Sequence, residues 1–120
     1  MSLGTGDSRM GYTTASTADI DSLVDEQYGG MWRFREALGC ERLGISLIEL
    51  EPGGKGKPHD HSGDGQEEAY LVVDGELDVD LGDETVTLGV GEAVRVSADQ
   101  HRQLVNRGDE RVRLVVAGAG

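Results

Sequence analysis

A chain of 120 residues with 23 Asp and Glu against 11 Lys and Arg, net charge −12, can bury one hydrophobic core but offers no basic face for a nucleic acid. No apolar run approaches the roughly 20 residues that cross a bilayer, the opening MSLGTGDSRMGYTTAST lacks a basic-then-apolar leader, and the lone Cys40 has no partner for an intrachain disulfide. These features predict a cytoplasmic protein, with no nucleic-acid or membrane partner, held together by packing. Lys55 and Lys57 are the only lysines, against nine arginines. Dense carboxylates with few lysines suit a protein made in high salt, and drift in a GC-rich genome gives the same composition.

Residues 1–29 read as an N-terminal arm. Positions 1–16 are small and polar, a loose segment. In STADIDSLVDEQYGG, Thr17 is placed to cap a short helical turn with Ile20, Leu23 and Val24 facing inward, and Gly29-Gly30 ends it. Residues 30–120 then carry eight short strand-like runs separated by turn signals: 31–38, 42–50, 67–73, 76–82, 84–89, 92–97, 101–106 and 111–116. Between the second and third, EPGGKGKP has too many prolines and glycines for regular pairing. Asp74-Gly75 is a hairpin turn signal. Leu77, Val79 and Leu81 alternate onto one face, as do Val86 and Leu88. Strands at such regular spacing define an all-β, single-domain sandwich or barrel. The alternating Trp32 and Phe34 suit a barrel end or a dimer face. Cys40, beside a glycine in a turn, reads as an inert thiol.

The stretch KPHDHSGDGQEEAYLVVDG carries the chemistry. His59 and His61, one residue apart, lie on one side of an extended chain because side chains alternate. Two imidazoles can then aim at one point, and a carboxylate from the following strand completes a set suited to iron, manganese, nickel or zinc. Glu67 and Glu68 are the rival carboxylates. Alternation puts Glu68 on the side of Tyr70 and Val72. No nucleophile elbow, P-loop or dinucleotide fingerprint is present in the sequence.

These residues resemble the cupin family, small β-barrels of jelly-roll type, whose first motif reads G-x5-H-x-H-x3/4-E-x6-G. Gly53, His59, His61, Glu68 and Gly75 match it, except that six residues instead of three or four separate His61 from Glu68. The extra residues, within SGDGQE, are expected to bulge outward. In the second motif, G-x5-P-x-G-x2-H-x3-N, Gly91 and Asn106 take the first and last places. Ser97 and Asp99 replace the proline and glycine, and the place of the fourth metal ligand falls on Arg102, not His101. A one-residue shift exchanges faces. Arg102 should therefore point inward and His101 outward, unless a local bulge returns His101 to the site as a ligand.

An inward arginine stays charged and only donates. Beside two histidines it opposes a dication by about 1–4 kcal/mol at about 4 Å. A substrate carboxylate reverses that penalty, and a salt bridge from Arg102 to Glu68 removes the need for a metal. The resemblance thus implies a divalent metal on His59, His61 and Glu68. It would act on a small anionic molecule held by Arg102, with Tyr70 lining the pocket or packing in the core. Oxygenase or isomerase chemistry fits such a set. The alternative is a metal-free anion-binding or sensor barrel. The resemblance also implies a homodimer.

Overall fold

The computed structural model describes residues 7–9 and 11–120, with side chains from Gly11 onward. Part of the expected loose arm lies outside those residues, and part of it is paired. Strands β1 (Asp7–Arg9) and β2 (Tyr12–Thr14) form a small antiparallel hairpin around Gly11, whose φ of +86° suits the reversal. The helical turn exists but is one turn of 3-10 helix, Thr17–Asp19. Its cap is Ser16, not Thr17, and the Ser16 backbone N–H donates to Asp19 Oδ2 at 3.0 Å. The inward face expected for it does not form. The chain is extended again at Ile20 (φ −126°), and Leu23 and Val24 are exposed. A second 3-10 turn covers Glu26–Tyr28.

The eight expected strands all appear, as β3 (Gly29–Arg33), β4 (Gly44–Leu50), β5 (Glu67–Asp74), β6 (Leu77–Asp80), β7 (Thr85–Leu88), β8 (Ala93–Val96), β9 (Gln103–Val105) and β10 (Val112–Ala119). The first is shorter than the expected 31–38 at its C-terminal end. Arg35–Leu38 is a short helix, α1, built from good helix formers. It is closed by Gly39 in the left-handed region (φ +70°), with Cys40 N–H returning to Arg35 O at 2.9 Å. Strands β3–β4–β10–β5–β8 form one antiparallel sheet and β7–β6–β9 another. Together they make the jelly-roll barrel, preceded by the short helical turns. No helix among the described residues is long and apolar enough to cross a membrane.

Between the sheets, the period-two faces meet. Val72, Leu77, Val79, Val112 and Leu114 have no exposed surface, and Ile48, Leu50, Leu88, Val96, Leu104 and Val116 join them. Each buried Val or Leu is worth about 1.5–3 kcal/mol. The opposite face of the larger sheet places Trp32, Leu47, Val115 and Leu71 in one register row. Trp32 is only partly buried there, its ring lying over Gly30.

The Gly/Pro-rich segment expected to escape pairing does pair, irregularly. Gly53 N–H donates to Asn106 O (2.9 Å), Gly56 N–H to Leu104 O (2.8 Å) and His59 N–H to Arg102 O (3.0 Å), so residues 53–61 run antiparallel to residues 98–106. Buried Asn106 fixes the end of that run, donating from Nδ2 to Leu50 O (2.9 Å) and Glu110 O (2.8 Å).

Candidate metal centre

Backbone pairing brings the site together. His59 and Arg102 exchange both main-chain hydrogen bonds (3.0 and 2.9 Å). Residues directly opposite in an antiparallel pair project from the same face. The side chains of His59 and Arg102 therefore both enter the barrel. His61, two residues on, follows His59, its N–H held by Ala98 O at 2.7 Å. Glu68 stands on the inner face of β5 with Tyr70 and Val72. Opposite it is Gly118, where a Cβ would come within 3.0 Å of Glu68 Cγ, so the glycine leaves room for the carboxylate.

His59, His61 and Glu68 each offer a ligand atom, and these atoms lie within 4.8 Å of one another. Glu68 Oε1 is 3.4 Å from His61 Nε2 and 3.9 Å from His59 Nε2. The two rings stand edge to face, 5.0 Å between centroids. Their outward nitrogens are engaged: His59 donates Nδ1–H to Lys57 O (2.8 Å), and His61 donates Nδ1–H to Asp64 (3.1 Å). Because a carbonyl and a carboxylate only accept, the proton of each neutral ring sits on Nδ1 and the Nε2 lone pair faces the cluster. His61 Nε2 is buried and has no hydrogen-bond partner among the described residues. The donor set thus fits a divalent cation.

Asp64 is not among the candidate residues of the sequence, where SGDGQE is expected only to bulge outward. The segment does turn outward, with Asp64 and Gly65 N–H both donating to His61 O (3.1 and 2.7 Å), and that turn carries Asp64 back over His61. The Gln66 N–H, and then His61, hold the Asp64 carboxyl below the usual carboxylate range. The signal available was an Asp three residues after a His in a Gly-rich turn.

Tyr70 is buried and donates its hydroxyl to Glu68 Oε1 at 2.6 Å. Burial, reinforced by that bond and by the Glu68 charge, raises its pKa and keeps it a neutral donor. Its hydroxyl touches the candidate ligand Glu68, and its ring packs in the core. Arg102 is wholly buried, with NH2 donating to Ser97 O (2.7 Å) and NH1 3.9 Å from Glu68 Oε1. Its Nε and NH1 have no hydrogen-bond partner among the described residues. Glu67 points out and pairs with Arg95 at 3.3 Å. His101 is exposed and stands outside the His59–His61–Glu68 group, because its neighbour Arg102 takes the inward position opposite His59; the extra residue in this pairing lies among 56–58, facing 103–104, and does not turn His101 inward.

The fold is that of a cupin, and the donor set keeps the two histidines and the glutamate of the first motif. The family model for the cupin domain matches residues 46–118, and the chain belongs to that family. It is 33% identical over 85 residues, 71% of either chain, to a Mycobacterium tuberculosis protein called Beta-D-galactosidase Rv1717. Among solved structures it is similar to a cupin-superfamily sugar phosphate isomerase from Silicibacter pomeroyi (TM-score 0.71, 21% identity, 89% of this chain and 75% of that one). It also resembles the cupin domain of an XRE family transcriptional regulator from Enterobacter cloacae (TM-score 0.68, 20% identity, 78% and 98%). At those identities the structural likenesses speak for the fold alone.

Proposed function

We propose that this cupin holds a divalent metal (iron, manganese, nickel or zinc) on His59, His61 and Glu68 and acts on a small anionic molecule received by Arg102. The observation that carries this reading is His61 Nε2, buried without a partner and facing Glu68 Oε1 at 3.4 Å. When bound, such an ion supplies Lewis-acid or redox chemistry of the oxygenase or isomerase type. The chain's own residues prepare the pocket. Lys57 O and Asp64 fix both imidazole tautomers, and the Tyr70 hydroxyl holds Glu68 Oε1 toward them. Arg102 draws a carboxylate or similar group inward. His59, with 38% of its side chain exposed, marks the side by which a ligand enters.

The proposed chemistry differs from the activity in the mycobacterial relative's name. Glycoside hydrolysis by the usual route needs two carboxyl groups flanking the scissile bond. Here Glu68 is the carboxylate facing both histidines, while Asp64 is engaged by His61 and Gln66.

Elemental analysis of protein purified without a metal-affinity column tests the proposal. About one equivalent of metal per chain is expected, and His59→Ala should lose it. Less than about a tenth of an equivalent, even after incubation with each metal, overturns the reading. It would favour the second one, a metal-free anion-binding or sensor barrel. That alternative is supported by Arg102 NH1, which at 3.9 Å already gives Glu68 a counter-charge.

A further inference from the structure

We infer that metal and anion bind this site as a coupled pair, each strengthening the other through Arg102 and Glu68; this rests on the metal reading above. Arg102 has no exposed surface, and its nearest carboxylate is Glu68, through NH1 and Oε1 at 3.9 Å. Glu68 Oε1 is also the oxygen that faces both histidine Nε2 atoms. One carboxylate therefore serves two claimants, the guanidinium and a cation on the histidines. A dication that takes Glu68 leaves the guanidinium beside added positive charge.

Arg102 cannot relieve that conflict by moving to solvent. Its backbone is paired with His59, and NH2 is bonded to Ser97 O at 2.7 Å. What it retains is unused donor capacity, since Nε and NH1 are both buried without a partner. Water would satisfy those hydrogens but not the charge. An oxyanion satisfies both, and its affinity is highest when the metal has drawn on Glu68. The converse follows from linkage, because two ligands change each other's affinity by the same factor. The ligand class is a small oxyanion, a carboxylate foremost, and the metal-only form is the disfavoured state.

The test is Mn²⁺ affinity, read from the free-ion paramagnetic resonance signal in a non-coordinating buffer. It is repeated with saturating formate or glycolate and corrected for the complex those anions form with Mn²⁺ in water. Wild type should bind Mn²⁺ at least about tenfold more tightly with one of the anions. Arg102→Met should bind it more tightly than wild type without anion and show no gain on adding one. Arg102→Gln, which keeps a donor for Ser97 O, serves if the methionine variant does not fold, and the wild-type comparison stands alone if neither does. Mn²⁺ binding that changes less than about twofold with either anion overturns the coupling and leaves the metal reading intact. Failure of Mn²⁺ to bind under any of these conditions overturns both.

Discussion

Four side chains converge on Glu68 Oε1: Tyr70 at 2.6 Å, His61 at 3.4 Å, and His59 and Arg102 at 3.9 Å. Tyr70 makes the only hydrogen bond among these four contacts, so it decides which way the oxygen points. Partners of this kind, one bond removed from an ion, typically change metal affinity 10- to 100-fold when removed. Tyr70→Phe should therefore weaken metal binding by about that factor while leaving a cooperative thermal transition. A variant with unchanged metal affinity would show that packing alone holds Glu68. Much of this residue-level pattern was legible in the sequence, because alternation is local. His59 goes with His61, and Glu68 goes with Tyr70 and Val72. Asp64 was not legible in the same way, since its contact with His61 depends on a turn closed by backbone bonds to His61 O.

Among the elements, strand β6 shows how one face can be core and the other an ion-pair platform. Leu77 and Val79 are fully buried, while Asp78 and Asp80 face outward and accept hydrogen bonds from Arg107 beyond β9, at 3.0 Å and at 3.0 and 2.8 Å. Arg107, helped by the Thr85 hydroxyl, holds the Asp80 carboxyl down to about 2. A depressed carboxyl stabilises the fold above its unfolded value near 3.8, and that stabilisation is lost as pH falls toward 2. Arg107→Ala should therefore flatten the acid limb of the stability profile between pH 4 and pH 2, measured by urea midpoints across that range. Superimposable limbs for wild type and variant would show that the group adds nothing in solution. The same scale explains the misread strand at 31–38. Weak alternation of apolar residues gave way to a helical turn once Gly39 supplied a left-handed cap.

For the whole molecule, the net charge of −12 sets the terms. Exposed arginines offset part of it, with Arg95 on Glu67, Arg111 on Glu49 and Glu51, and Arg113 on Glu49. Surface pairs of this kind are each worth little, whereas self-repulsion sums over the whole surface. Raising salt from about 0.1 M to 1 M shortens the screening length from about 10 Å to 3 Å. The melting temperature should then rise by a few degrees, as read by circular dichroism. A fall would show that the ion pairs outweigh the repulsion. By itself the sequence determined the eight barrel strands, apart from the length of the first, their buried faces, and the shared sides of His59 with His61 and of Glu68 with Tyr70, while between Arg102 and His101 it left the inward place open. Period-two alternation and residue spacing are local rules that need no knowledge of neighbours. Only the tertiary structure decided that His59 and Arg102 lie directly opposite one another. It also decided that one oxygen of Glu68 faces them all, and that two nitrogens of a buried guanidinium are left without partners. Those are consequences of closing the barrel, where pairing between distant segments fixes distances that no spacing along the chain encodes.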